Sequence, residues 1–334
     1  MNRVRNSILV IMLAFNLTSC LVSDSARTLQ IEIMKPGLIT IPENYDTITL
    51  VNRCFNTKDT IPFKYFNGKT IVTDATIRYK ALSDICIKSF EGFLKEKSYF
   101  KAVINPQDSL SNLFFSGNRI TDSEEVFRKT KSGICIFLDQ FSFSVAAFYG
   151  LSDVTSNIAA LSWRIVLKND SLSYLYNQMD TLIYDPLDFP MTMDAHNRLQ
   201  TIVDGSSNYL GRFAASKMIP NWVPVERLYY QSNNPNMLLA EKYALQNDWL
   251  KAAGLWNGLT KNKNLKISAK ASYNMALACE MEGKHDVAID WLVKSFSILK
   301  QNSELHQANC QRYIAVLTQR KKELEKLAKQ VRNN

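Results

Sequence analysis

Between Asn236 and Phe296 one helix–turn–helix pattern is written twice, which limits this part of the chain to stacked antiparallel helices. The later copy runs Ala271-Ser-Tyr-Asn-Met-Ala-Leu-Ala-Cys279, then Gly283-Lys-His-Asp-Val-Ala-Ile-Asp-Trp-Leu292. Small residues recur where two helices must approach closely, and Gly283 stands where the chain reverses. In the earlier copy Leu239, Ala240 and Tyr243 take the places of Met275, Ala276 and Cys279; Asn247, Ala252 and Trp256 take those of Gly283, Ala288 and Leu292. One such unit cannot bury its apolar stripe alone, so its neighbours must stack on it. A third unit begins after Phe296, but no breaker follows Leu317. The pattern therefore predicts a long terminal helix from about Glu304 to Val331 that caps the array.

This pattern is similar to the tetratricopeptide repeat, whose unit is about 34 residues long. Here the copies are offset by 36, from Asn247 to Gly283, which places two extra residues in the Lys261–Lys266 linker. Trp is missing from the opening helix of both copies. The resemblance implies a concave groove lined by the first helix of each pair, faced by Glu241, Leu245, Tyr273, Leu277, Glu280 and Met281. Apolar residues there need cover, either from the chain itself or from a partner protein.

At the other end, Arg3 and Arg5 precede an apolar run from Ile8 to Phe15, then Leu17-Thr18-Ser19-Cys20. The run is far shorter than the ~20 residues that span a bilayer, so it reads as a cleaved secretory segment. The arrangement resembles a bacterial lipoprotein signal. That resemblance implies that residues 1–19 are removed, that Cys20 becomes the first residue and carries acyl chains, and that residues 20–28 form a lipidated tether. Several acyl chains anchor stably where one is marginal. The expected location is the bacterial cell envelope, at the outer membrane, with the face left open.

Loss of Arg3 and Arg5 lowers the formal charge from +9 to +7. Much of the excess lies in Arg320-Lys-Lys, Lys326, Lys329 and Arg332, opposite the apolar stripe Tyr313, Leu317, Leu324, Leu327 and Val331. It reads as a solvated helix face, and no motif accompanies it that would bind nucleic acid. Cys54, Cys86, Cys135, Cys279 and Cys310 show neither close pairing nor metal-ligand spacing, and read as small buried hydrophobes.

Residues 29–219 read as a mixed α/β domain. Leu29–Met34 and Thr47–Asn52 are short strands around Pro36-Gly37 and Pro42. A helix with Tyr79, Leu82, Cys86, Phe90 and Phe93 on one face spans Ala75–Lys97, followed by a strand at Tyr99–Ile104. A helical turn at Glu124–Lys129 and a buried strand at Ile134–Leu138 come next. From Phe141 the pattern alternates through Phe143 and Val145, then through Ala159, Leu161, Trp163, Ile165 and Leu167. Asn169-Asp170 turns this into Leu172–Met179, with Tyr174 and Tyr176 in phase. Trp163, Tyr174 and Tyr176 are thus expected to form an exposed aromatic sheet face. A helix over Thr192–Lys217 closes the domain, and residues 220–235 form an ordered strap holding Trp222, Tyr229 and Tyr230.

The signal, the segment Trp222-Val-Pro-Val-Glu-Arg-Leu-Tyr-Tyr230, the paired units and the ending Gln319-Arg-Lys-Lys-Glu-Leu-Glu-Lys-Leu327 together resemble a family of Gram-negative envelope lipoproteins known only as a domain of unknown function. The N-terminal half is also similar, in element order, to lipoproteins that activate wall synthases or assist secretion pores. Neither resemblance supplies a catalytic residue.

Gly68-Lys69-Thr70 lacks the earlier glycine of a phosphate-binding loop, since Phe63 stands in its place. His196, His285 and His306 have no second ligand at zinc spacing, and Asp139, Asp153, Asp185 and Asp188 read as turn and strand-end residues. No cofactor, metal or catalysis is expected.

The expected fold class is therefore α+β, a mixed α/β sandwich-like domain followed by a tetratricopeptide-like all-α array over residues 236–334. The expected function is a lipid-anchored envelope scaffold or adaptor that binds another envelope protein. The alternative is a glycan binder or processor using the Trp163, Tyr174 and Tyr176 face.

Overall fold

Alternating apolar residues build the central sheet. A computed structural model describes residues 26–54, 63–67, 70–74, 77–105, 119–147, 155–170, 173–185, 189–190, 192–299 and 303–330. Cys20, Gly68, Lys69, Asp153 and Asp188 lie outside these residues. The fold is α+β with a helical C-terminal region, and the chain divides into two units. One unit holds the described residues through Lys35 together with Trp222–Ala328; the other holds Pro36–Asn221 with residues 329–330.

In the α/β unit the strands are β2 (Thr47–Asn52), β5 (Ala102–Ile104), β6 (Ile134–Ala147), β7 (Thr155–Leu167) and β8 (Ser173–Tyr184), in the order β5-β2-β6-β7-β8. β2 runs parallel to β5 and β6, while β6, β7 and β8 are antiparallel. Its helices are α1 (Tyr79–Lys97), α2 (Arg119–Thr130) and α3 (Ala195–Met218). A separate antiparallel hairpin, β3 (Phe63–Asn67) with β4 (Thr70–Asp74), was not legible in the sequence. Thr70 belongs to a strand, not to the start of a helix.

Leu82, Cys86, Phe90 and Leu94 of α1, with Leu199, Val203, Leu210 and Ala214 of α3, cover one face of the sheet. Against them lie Ile48, Leu50, Ile134, Ile136, Leu138, Phe141, Phe143, Ala159, Leu161, Trp163 and Ile165. The opposite face carries a smaller cluster in which Val51, Cys135 and Phe137 meet Val126 and Phe127 of α2. β2 is therefore covered on both sides, the usual condition of parallel strands, and even its polar Thr49 and Asn52 are buried.

A bulge explains a parity change in β6. Even-numbered residues face the main core up to Leu138 and odd-numbered ones from Phe141, because the pairing with β7 slips between Leu138 and Gln140. One extra residue re-aims everything beyond it. Helices α1 and α3 meet with almost no gap at Gly211, where a Cβ would lie 2.0 Å from the Cys86 carbonyl oxygen.

The helical unit contains α4 (Pro235–Leu245), α5 (Trp249–Leu259), α6 (Leu265–Met281), α7 (His285–Ile298) and α8 (Glu304–Ala328). Asn234, Asp248 and Asn264 cap α4, α5 and α6 through their side chains. Asn247 and Gly283, aligned by sequence, both adopt positive φ, at 59° and 72°. Both reversals therefore pass through the left-handed region at the matching position.

This unit also holds a two-stranded ribbon of β1 (Ala26–Lys35) and β9 (Asn221–Tyr230). The segment expected to be a strap is thus a strand. Pro224 is tolerated within it because a two-stranded ribbon leaves each strand an unpaired edge. β1 starts at Ala26 and belongs with the helices rather than with the five-stranded sheet.

Candidate functional site

In the helical unit, the groove-facing residues are not open. Tyr273, Leu277 and Glu280 are buried, and the chain's own β9 and α8 supply the cover. Asn274, midway along α6, accepts from the Tyr230 backbone N–H at 2.8 Å and donates to the Tyr230 carbonyl at 2.8 Å. Its amide thus does for β9 what a neighbouring strand would do.

Three residues before Tyr230, the Arg227 guanidinium donates to both Glu280 carboxylate oxygens, the Nε and Nη2 contacts lying at 2.9 and 2.8 Å. The Tyr313 hydroxyl donates to the same carboxylate at 2.5 Å. Burial, then the Glu280 charge, hold that hydroxyl well above the usual tyrosine range, so it remains a donor. Glu241 accepts from the Tyr229 hydroxyl at 2.6 Å and from the Gln231 amide. Met281 is half-buried, and Leu245 alone of the six is strongly exposed.

Tyr230 packs edge-on against Tyr273 and beside His306. His306 Nε2 lies 3.0 Å from the Ser295 hydroxyl, which itself donates to the Ala269 carbonyl. Burial holds the imidazole below its ordinary 6.5, against a Ser295 backbone hydrogen bond that raises it; nearby Lys270 lowers it further. Unfolded chain therefore binds a proton on His306 at higher pH than folded chain does. Stability is complete above about pH 6.5 and is lost as pH falls from there toward the depressed folded value. A urea titration series across pH 7.5 to 5 is expected to show this loss in the helical unit, and His306→Gln is expected to flatten it.

In the α/β unit, the expected exposed aromatic face is an inner face. Trp163 is fully buried with its ring centroid 5.0 Å from that of Phe90, and it pairs across strands with Tyr176. Tyr176 is half-buried against the core, and Tyr174, on the same face, is 39% exposed. Alternation assigned these three rings to one face correctly. Only the helices α1 and α3 decide that this face is covered.

The exposed apolar side chains lie on the other face. Leu175, Met179 and Ile183 of β8 are 63%, 79% and 70% exposed, and Ile158 of β7 is 45% exposed. Between them lie Ala160, Ser162, Asn177 and Thr181. The charged residue on this part of the face, Arg164, is buried: it donates to Asp139 at 2.8 Å and stacks over Phe137. Asp139, the extra residue of the bulge, also pairs with Arg53. Its carboxylate is thus held between two guanidinium groups rather than presented to solvent.

An open cleft of about 840 Å³ lies between α1 and α3, lined by Phe93, Asp204, Tyr209 and Arg212 among others. Its charges are engaged: Asp204 accepts from Gln200 at 2.8 Å, and Arg212 donates to Glu96 at 2.8 Å. Among the described residues no cluster of His, Cys, Asp or Glu is arranged to hold a metal, and no helix is long and apolar enough to cross a membrane. All five described cysteines are free, and burial pushes the Cys54 and Cys135 thiols up to about 12 and Cys310 to about 11.

Periodicity did not single out Asn274, Arg227 or His306 for the groove. For Asn274 a signal existed, since a polar residue amid the small apolar run of α6 is a buried group in need of a partner.

The family model of a domain of unknown function, DUF6340, matches residues 239–319, from within α4 into α8. A comparison with curated proteins finds no match. Among solved structures, a minor lipoprotein from Acinetobacter baumannii is similar at 9% identity and a TM-score of 0.27, over 53% of this chain and 95% of that one. A PelC dodecamer from Paraburkholderia phytofirmans is similar at 6% identity and a TM-score of 0.26, over 57% of this chain and 98% of that one. Likenesses this low carry no weight for function, which rests instead on the geometry of the chain itself.

Proposed function

We propose that this chain is a lipid-anchored scaffold or adaptor of the bacterial envelope that binds another envelope protein through the outer face of β7 and β8. The observation that carries this is the uncharged surface of Ile158, Ala160, Leu175, Met179 and Ile183, with four large apolar side chains exposed together. Contiguous exposed apolar surface of this kind marks a protein-binding site. The groove of the helical unit is a poorer candidate because β9 fills it. A glycan site on the three rings is disfavoured because Trp163 is sealed in the core.

The short tether fits an anchored role. Five residues separate Cys20 from Ala26, so even fully extended they reach only about 20 Å. Acyl chains on Cys20 would thus hold β1 and the helical unit close to the membrane surface.

In-cell photo-crosslinking from position 158, with position 250 of the helical unit as comparison, tests the reading. One discrete envelope protein captured from 158 is the expected product. Wall fragments from 158, or protein captured from 250 alone, would overturn it.

A further inference from the structure

The two edges of the five-stranded sheet are unlike. β5 is three residues long, a common way of blunting an edge. β8 has twelve residues, pairs with β7 without a break from Ser173 to Tyr184, and contains no Pro, Lys or Arg. Among the described residues no strand lies beyond it. Its one charge, Asp180, belongs to the inward-facing set of residues. Such an edge offers a long row of backbone donors and acceptors to another strand.

The sequence of β8 identifies that strand. We propose that β8 is the seam of a symmetric dimer, in which two copies of this chain pair their β8 strands antiparallel with Met179 opposite Met179 of the second copy. This goes beyond the reading of the sheet's outer side as a protein-binding surface and stands independently on the β8 edge.

In this register Leu175 faces Ile183 and Asn177 faces Thr181 on the outer side. On the inner side Tyr174 faces Tyr184, Tyr176 faces Leu182 and Gln178 faces Asp180. Apolar residues meet apolar ones and polar residues meet polar ones at every step, and the two carboxylates stay apart. Neighbouring registers fail this test. Centring on Asp180 sets two carboxylates directly opposite, where like charges are destabilising, and centring on Gln178 sets Met179 against Asn177 and Tyr176 against Asp180. A self-paired central residue also keeps both outer faces on one side of the joined sheet, since directly opposed residues share a face. A two-fold isologous contact closes on itself, so the edges are consumed and no filament grows.

The test is disulfide trapping in the full chain, expressed with its own N-terminus in a bacterial envelope. Met179→Cys is expected to give a homodimer on a non-reducing gel. Thr181→Cys alone is expected to stay monomeric, and Asn177→Cys combined with Thr181→Cys to restore the dimer. In detergent, Ile183→Lys, which sets a cation against Leu175, is expected to weaken self-association by about tenfold or more in analytical ultracentrifugation.

A monomeric wild-type chain with no bridge at 179 overturns the proposal, as does a dimer that bridges in another register or to a different protein. Position 158 separates the two readings. Capture of another protein there by a chain that does not dimerise sinks the dimer and leaves the adaptor. A bridge at 179 with no capture at 158 leaves the dimer and sinks the adaptor.

Discussion

Glu280→Ala is expected to lower the stability of the helical unit by about 3–5 kcal/mol, the range for removing one partner of a buried ion pair. Side chains of Arg227 and Glu280 are 9% and 3% exposed. Without the carboxylate, the Arg227 charge loses its hydrogen bonds to Glu280 and Tyr313 loses its acceptor. The loss arises from stranded polar groups rather than from the pair's own worth. Joint replacement, Arg227→Met with Glu280→Leu and Tyr313→Phe, is therefore expected to recover most of it. Of the five tryptophans only Trp163 belongs to the α/β unit, so a Trp163→Phe background leaves Trp222, Trp249, Trp256 and Trp291 to report the helical unit. A Glu280→Ala midpoint equal to that of the parent would show that Arg227 reaches water without cost.

Trp163→Ala is expected to cost the α/β unit about 3–5 kcal/mol, because it removes a fully buried indole and leaves a cavity that the sheet cannot close. One face of the ring lies against Phe90 of α1, and the backbone on both sides is fixed by pairing with β6 and β8. Hydrogen exchange by mass spectrometry localises the effect: protection of amides in α1, β6 and β7 is expected to fall roughly 10²–10⁴-fold. Trp163→Phe is a useful contrast. The indole N–H has no hydrogen-bond partner among the described residues, so its removal strands nothing, and the smaller ring should cost far less than Ala. Equal losses from Phe and Ala would point to a polar role for the indole.

Much of this architecture follows from local pattern. The doubled motif placed four helices and their reversals, because small residues at helical spacing and a left-handed turn position are local demands that Asn247 and Gly283 meet on their own. Thr47–Asn52 was legible as a strand residue for residue. Alternation also put Trp163, Tyr174 and Tyr176 on a common face. The hairpin β3–β4 escaped notice because its residues, Phe63–Asn67 and Thr70–Asp74, form a short pair without a long alternating run. The end of Ile134–Leu138 was set too early because the bulge at Asp139 breaks the period that marks a strand in sequence.

The candidate surfaces were less legible, for a physical reason. Periodicity tells which residues share a face and is silent on what lies over that face. Glu241, Tyr273, Leu277, Glu280 and Met281 read as groove residues awaiting a guest, yet the guest is β9, tens of residues away in the chain. Neither Arg227 nor Asn274 announces the other end of its hydrogen bonds. Likewise the rings of β7 and β8 are turned toward α1 and α3, and the apolar side chains left outside are those at the intervening positions, Leu175, Met179 and Ile183. Sequence alone determined the first four helices of the C-terminal region with their reversals, the strand Thr47–Asn52 and the two-sided character of β7 and β8, since these follow from short-range sterics and periodicity. Tertiary structure alone decided which face each element buries and which groove the chain fills for itself, because burial is a property of what long-range contacts bring together.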